Sequence, residues 1–305
     1  MTKDSEREVL ISYLVASYNH ENYIIDCLNS ILADGIDNRE IVIVDDGSVD
    51  SSVKVIQQWM DSQDVGEVRL VSRENRGVSA TFNQLLETSR GKYVRIVASD
   101  DMVVKGSTGE MISQLQANPQ MLGIVGDVSV INEQGQIIAQ SQMERLGKDS
   151  VVYKEDIKRA IISSWAICGP AGVFSRNYQN VVGRYDEELV VEDWSMYLRL
   201  VAANVLMFSD LKVAYYRIHD TNTSLTKDVS KRLRNLNSQK IAGEKALDLF
   251  VGAYHYFLLS EVLLLKCKIA FLSKRYLTCG GYLFLAKLVN LFGMFLYFFK
   301  FKNRI

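Results

Sequence analysis

From residue 9 onward, short apolar runs alternate with segments whose apolar positions recur every three or four residues. Residues 9–16, 40–44, 68–72 and 92–98 carry the first pattern, and 21–33, 51–59 and 78–89 the second. Short apolar runs bounded by turn signals read as buried strands, and the periodic segments as helices packed by one face. Strands alternating with helices in this way predict parallel βαβ units joined by right-handed crossovers. The fold class is therefore α/β. Asp50 and Ser51 offer an N-cap for the helix at 51–59, since an oxygen there satisfies an orphan backbone N–H.

Past residue 101 the alternation loosens. The pattern predicts a helix at 107–116, strands at 122–132 and 136–140 around the turn Glu133-Gln134-Gly135, and a helix at 153–163. A strand at 172–175, a helix at 193–203 and strands at 206–208 and 212–218 follow. Beyond a boundary near residue 228 come helical segments at 229–248, 251–272 and 276–300. Residues 1–228 thus form one domain, a mixed but mainly parallel sheet with flanking helices. Residues 229–305 form a helical, basic and apolar region. There is no internal repeat.

Charge sharpens that division. The 305 residues include 35 basic and 36 acidic side chains, a formal charge of −1 that says nothing of partners. Between residues 262 and 305, however, there are eight basic residues and no acidic ones, leaving 27 basic against 36 acidic elsewhere. An acidic body with a basic, apolar tail points to an anionic surface such as a membrane. Residues 280–299 hold a single charge, Lys287, and end in Phe295-Leu296-Tyr297-Phe298-Phe299. That length just meets the ~20 residues of a spanning helix. Lys287 near the bilayer centre would cost ~2.5–3.5 kcal/mol unless it snorkelled. The segment 251–272, with His255, Glu261, Lys266 and Lys268, is too polar to span. Helices lying in the interface fit both segments; a helical pair packed on the body or on a second subunit is the alternative. The start, 1–8, is polar and has no signal-peptide core. Cys27, Cys168, Cys267 and Cys279 show no zinc-site spacing, so free thiols in a reducing cytoplasm are expected.

Candidate chemistry gathers at strand ends. Asp45-Asp46 and Asp100-Asp101 each close a predicted strand, and Glu192-Asp193 opens a predicted helix. In open α/β sheets ligands collect at the carboxyl ends of the strands. Two carboxylate pairs there suggest a polar ligand with a cation. Asp45-Asp46-Gly47-Ser48 also fits the acidic pocket of a phosphoacceptor receiver domain, although no convincing partner lysine appears. Ser17, Tyr18 and Asn19 end the first strand as base-contacting groups or as simple caps. Arg73 and Arg76 face phosphates or belong to a solvated loop, with Gly77 allowing close backbone approach. The oxygens of Asp100 and Asp101 suit Mg²⁺ or Mn²⁺.

In order along the chain, the segments are Ala16-Ser17-Tyr18-Asn19-His20-Glu21-Asn22-Tyr23, Val42-Ile43-Val44-Asp45-Asp46-Gly47-Ser48, Glu74-Asn75-Arg76-Gly77-Val78-Ser79, Ser99-Asp100-Asp101, Val191-Glu192-Asp193-Trp194 and Tyr216-Arg217-Ile218-His219. Over roughly residues 9–225 the chain resembles the family 2 glycosyltransferases, nucleotide-sugar transferases of GT-A fold. The resemblance implies that Tyr18 stacks on the nucleobase while Asp46 bonds its ring, with Ser17 and Asp45 close by. It implies Asp100 at the ribose or metal, Asp101 on the metal bridging the diphosphate, and His219 near both. Asp193 would be the general base of an inverting transfer. Many members carry Asp where this chain has Ala98, which leaves the ligand set open. The Gln-x-x-Arg-Trp motif of processive synthases is absent, which argues for adding one sugar. The expected partners are a nucleotide sugar (UDP-sugar favoured), a lipid-linked saccharide acceptor of bacterial surface polysaccharide, and the cytoplasmic face of the plasma membrane. No nucleic acid is expected. A sugar nucleotidyltransferase would need a Gly-rich, Arg-containing loop after the first strand, which residues 16–20 lack. A non-catalytic nucleotide-binding membrane module is the third reading, opposed by the retention of Glu192, Asp193 and His219.

Overall fold

A computed structural model of the chain describes residues 9–62, 66–220, 222 and 226–302. The polar start at 1–8 lies outside the described residues. The elements run β1 (Ile11–Ser17), α1 (Ile24–Ala33), β2 (Arg39–Asp45), α2 (Ser52–Ser62), β3 (Glu67–Ser72), α3 (Val78–Thr88), β4 (Tyr93–Ala98), β5 (Met102–Val103), α4 (Ser107–Ala117), β6 (Gly123–Ile131) and β7 (Ile137–Ala139). They continue with α5 (Gln142–Arg145), α6 (Ser150–Glu155), α7 (Ile157–Ser163), β8 (Gly172–Ser175), α8 (Tyr178–Val182), α9 (Asp193–Ala202), β9 (Leu206–Arg217), α10 (Val229–Ala246), α11 (Ala253–Leu272) and α12 (Tyr276–Lys302). Contacts divide the chain into two units.

The first unit spans 1–147, 167–184 and 206–218. Its nine-stranded sheet has the order β3-β2-β1-β4-β8-β6-β9-β5, with β7 added to β6. β1 pairs in parallel with β2 and β4, and β2 with β3. β1, β2 and β4 are buried along almost their whole length, which is why they read as near-continuous apolar runs, whereas the edge strand β3 is only half-buried. β8 turns antiparallel to β4 and β6, and β5 antiparallel to β9. The mixed half explains the loosened pattern past residue 101.

Local differences from the sequence reading have identifiable causes. The two strands expected at 206–208 and 212–218 are one, β9, with register shifts against β6 around Asp127. A Cβ at Gly126 would lie 2.7 Å from the Leu211 carbonyl, so glycine lets the irregular strand stay paired. The helix expected at 153–163 is broken into α6 and α7, because the Asp156 side chain accepts the Arg159 N–H (3.0 Å) and caps a new start.

The second unit, 148–166, 185–205 and 219–305, is helical. α11 packs on α7, α10 and α12 and buries Phe257, Leu258 and Val262. α12 touches it along a narrow seam. Ala286 is fully buried, and a Cβ at Gly293 would come within 3.0 Å of the Phe257 ring. The Ser260 hydroxyl donates to the Ala286 carbonyl at 3.0 Å across that seam. Small residues permit this close approach, while most of the described residues of α12 stay exposed.

Candidate active site

Register places the two acid pairs. Ser17 lies level with Asp45 across β1 and β2, and Ala16 level with Ala98 across β1 and β4. Asp45-Asp46 and Asp100-Asp101 therefore emerge at one carboxyl edge, flanking the end of β1. That edge is tied together by its own polar groups. The Asp46 N–H donates to the Ser17 carbonyl (2.9 Å), and the Ser99 N–H to the Ala16 carbonyl (3.1 Å).

Asp45 is fully buried. It accepts the Ser17 hydroxyl (3.0 Å), the Ser48 N–H (2.9 Å) and the Ser48 hydroxyl (2.6 Å), which closes the turn after β2. Gly47 adopts φ +80° in that turn, and a Cβ there would fall 2.8 Å from the Asn75 nitrogen. Asp46 clasps the following loop: it accepts the Arg76 N–H (2.8 Å), the Gly77 N–H (2.9 Å) and the Arg73 guanidinium. Arg73 also donates to Gln84 Oε1 (2.6 Å), Thr81 Oγ1 (2.9 Å) and the Glu74 carbonyl (2.7 Å), so it braces the loop against α3. The Arg76 side chain is exposed. Tyr18, at the tip of β1, is 47% exposed, which is ample for a ring to stack on it.

The second pair divides its labour. Asp101 is almost fully buried and accepts the Arg217 N–H at 2.9 Å. Burial and the Asp100 charge push its carboxyl well up, against the opposing pull of Arg217. Arg217, fully buried, also donates to the Asp100 carbonyl (2.9 Å), the Glu133 carbonyl (2.9 Å) and the Asp26 carboxylate (3.0 Å), and lies 5.0 Å over the Tyr23 ring. Asp100 faces His20, whose Nδ1 is 3.8 Å from Asp100 Oδ1 and 2.8 Å from the Ser99 hydroxyl. His219 directly follows Ile218, whose N–H is held by the Ile131 carbonyl (2.9 Å), so the covalent chain carries it to this edge. One ligand atom from each of His20, Asp100 and His219 lies within 4.8 Å of the others, a group able to hold a metal ion. The sequence reading gave roles to His219 and Asp100 but none to His20. Its signal was its place, on the turn that leaves β1.

Asp193 belongs to the second unit, in the first turn of α9, and is half-buried beside Glu192. Burial pushes its carboxyl up to about 6, although the Trp194 N–H (2.7 Å) opposes the shift. Burial, then the Asp193 charge, pushes Glu192 up to about 8.

A mainly parallel half-sheet thus carries paired acids at its carboxyl edge, with an imidazole–carboxylate cluster beside them. The family model for glycosyl transferase family 2 matches residues 12–177, more than half of the chain, and the chain belongs to that family. Chondroitin synthase of Escherichia coli is 26% identical over 255 residues, covering 82% of this chain but 34% of its own length. The chain thus spans about a third of that relative. Among solved structures, S. aureus TarS 1–349 in complex with UDP-GlcNAc superposes with a TM-score of 0.62 at 18% identity, over 85% of this chain and 73% of that one. The mannosyltransferase PcManGT of Pyrobaculum calidifontis, in complex with GDP-Man and Mn²⁺, gives 0.58 at 15% identity over 94% and 88%. These likenesses establish the GT-A fold.

Proposed function

We propose that this chain is an inverting, metal-dependent glycosyltransferase that moves one sugar from a nucleotide sugar to a hydroxyl of a saccharide acceptor. The observation that carries the reading is the register that sets Asp45-Asp46 and Asp100-Asp101 on either side of the end of β1. UDP-sugar is the favoured donor, in line with the UDP-GlcNAc complex of TarS. Tyr18 stacks on the base, and Ser17, Asp45, Asp46, Arg73 and Arg76 shape the pocket around the nucleotide. The mixed oxygen and nitrogen donors of Asp100, His20 and His219, with Asp101 alongside, fit a divalent cation such as Mn²⁺ or Mg²⁺. When bound, such a cation neutralises the charge that develops on the leaving diphosphate.

In the transfer itself, the acceptor oxygen forms a bond to the anomeric carbon from the face opposite the diphosphate. The C–O bond to the diphosphate breaks, its electron pair leaving with the nucleotide, and the acceptor proton passes to the Asp193 carboxylate. A positioned base of this kind contributes ~10²–10⁴-fold. A single displacement inverts the anomeric centre. The acceptor is a lipid-linked saccharide of a bacterial surface polysaccharide, met at the cytoplasmic face of the plasma membrane by the region 229–305. Support for the last point lies in α12. Its stretch Tyr276–Phe299 has mean hydropathy 1.7 over its most apolar window, with only 11% of that window buried, the length and composition of a membrane helix.

Asp193→Asn tests the assignment. Transfer from UDP-sugars to a saccharide mixture should fall at least ~10²-fold while UDP binding by calorimetry stays at the wild-type level. Unchanged turnover would remove Asp193 as the base.

A further inference from the structure

Helix α11, which the sequence assigns to membrane attachment, also helps to wall a cavity in the second unit. The cavity measures about 230 Å³ and is lined by Lys148, Trp165, Trp194, Gln239, Glu261 and Lys268, among others. Pockets for drug-sized ligands run to ~300–1,000 Å³, so this one has room for a single sugar ring and not for an oligomer. We propose that it is a subsite for one acidic hexose unit of the acceptor saccharide. The inference rests on the glycosyl-transfer reading above and adds the acceptor's chemistry to it.

Four observations carry it. Its aromatic walls are fixed: the Trp194 indole N–H donates to the Ile161 carbonyl at 2.9 Å, and Trp165 packs on Tyr197 with ring centroids 5.1 Å apart. Rigid aromatic faces suit the C–H face of a pyranose, and their apolar area contributes without an ordering penalty. The polar groups, in contrast, are uncommitted. Among the described residues, no hydrogen bond or ion pair engages the side chains of Gln239, Glu261, Lys148 or Lys268. Half-exposed or exposed, these groups stay available, and a ligand site holds a few such polar groups ready.

Charge selects the ligand class. Two ammonium groups face one carboxyl, so the cavity favours an anionic substituent such as a hexuronate carboxylate. Burial pushes Glu261 up to about 7, opposed by Lys268 and Lys148, so near neutrality it can either donate to or accept from a sugar hydroxyl. Finally, Trp194 directly follows Asp193 in α9. The wall of the cavity and the proposed base therefore share one helical turn, which is where an acceptor must dock for its hydroxyl to be deprotonated.

The test uses the full chain in detergent and two probes by calorimetry, a hexuronate-containing tetrasaccharide and neutral chitotetraose, with UDP binding measured in parallel. Wild type should bind the hexuronate probe at least ~10-fold more tightly than the neutral one, the scale of one charge-assisted hydrogen bond. Lys268→Ala, at an exposed position where folding is not at risk, should abolish that preference. Gln239→Ala should weaken both probes several-fold, with UDP affinity unchanged in both variants. A protein that binds UDP but neither probe overturns the subsite alone, as does one whose two variants bind like wild type. Loss of UDP binding in the wild-type chain would overturn the underlying transferase reading as well.

Discussion

Glu192 and Asp193 show how one helical turn can set a proton inventory. Their carboxyls, pushed to about 8 and about 6, hold one proton between them near neutrality. If Asp193 is the base, the transfer rate should rise with pH up to about 6 and then level, and Asp193→Asn should erase that limb in a pH–rate profile. Both folded values lie above the ordinary 4.5 and 3.8, so the folded state binds these protons more tightly than the unfolded chain. Their contribution to stability is complete below about pH 4 and is lost as pH rises through 6 towards 8. Glu192→Gln should therefore flatten the fall in melting temperature between pH 5 and 9; an unaltered slope would show that the residue is not held protonated. At the same scale, His20→Ala should weaken Mn²⁺-stimulated UDP binding as much as Asp100→Ala does. The acids were legible because paired carboxylates at strand ends exceed what caps require. His20 was not, because a lone histidine carries no spacing signal until the strands are in register.

At the scale of elements, the turn after β2 is the most constrained segment. Gly47 combines φ +80° with a Cβ position 2.8 Å from backbone nitrogen, so Gly47→Ala strains both the turn and the loop that Asp46 clasps. A cost of about 1–3 kcal/mol, read as a lower denaturant midpoint, should accompany weaker UDP binding. The parallel elements β1, β2 and β4 were predictable because strands buried on both faces are near-continuously apolar. The short β5, α5 and α8 were not, since two to five residues carry too little periodicity to register. The α6–α7 break and the irregularity in β9 turn on one cap and one glycine, details that a pattern window averages away. α12 illustrates the same limit from the other side. Its length was readable, but the seam was not: Ala286 and Gly293 face α11 while Leu277, Phe284 and Leu291, seven residues apart, are 96%, 64% and 63% exposed.

For the whole molecule, that open apolar stripe and the asymmetric charge bear on one question, where the chain works. Eight basic and no acidic residues lie between 262 and 305 in an otherwise acidic chain. Co-sedimentation with anionic vesicles should weaken as salt rises, because phospholipid charge attracts exposed lysines only within a Debye length. Phe284→Glu with Leu291→Glu should release the protein altogether without disturbing the packed seam. Persistent sedimentation of that double variant would contradict membrane docking by α12. Truncation near residue 250 is a poorer probe, since α11 supplies buried Phe257, Leu258 and Val262 to its unit.

Arg217 has a consequence for anyone reading variants of this chain. Its single guanidinium fastens the loop carrying Asp100, the carbonyls at 132 and 133 and the first helix, while its own amide holds Asp101. A lesion there, far along the sequence from Asp100 and Asp101, would masquerade in a screen as a defect of the proposed cation site. Added manganese would not rescue it.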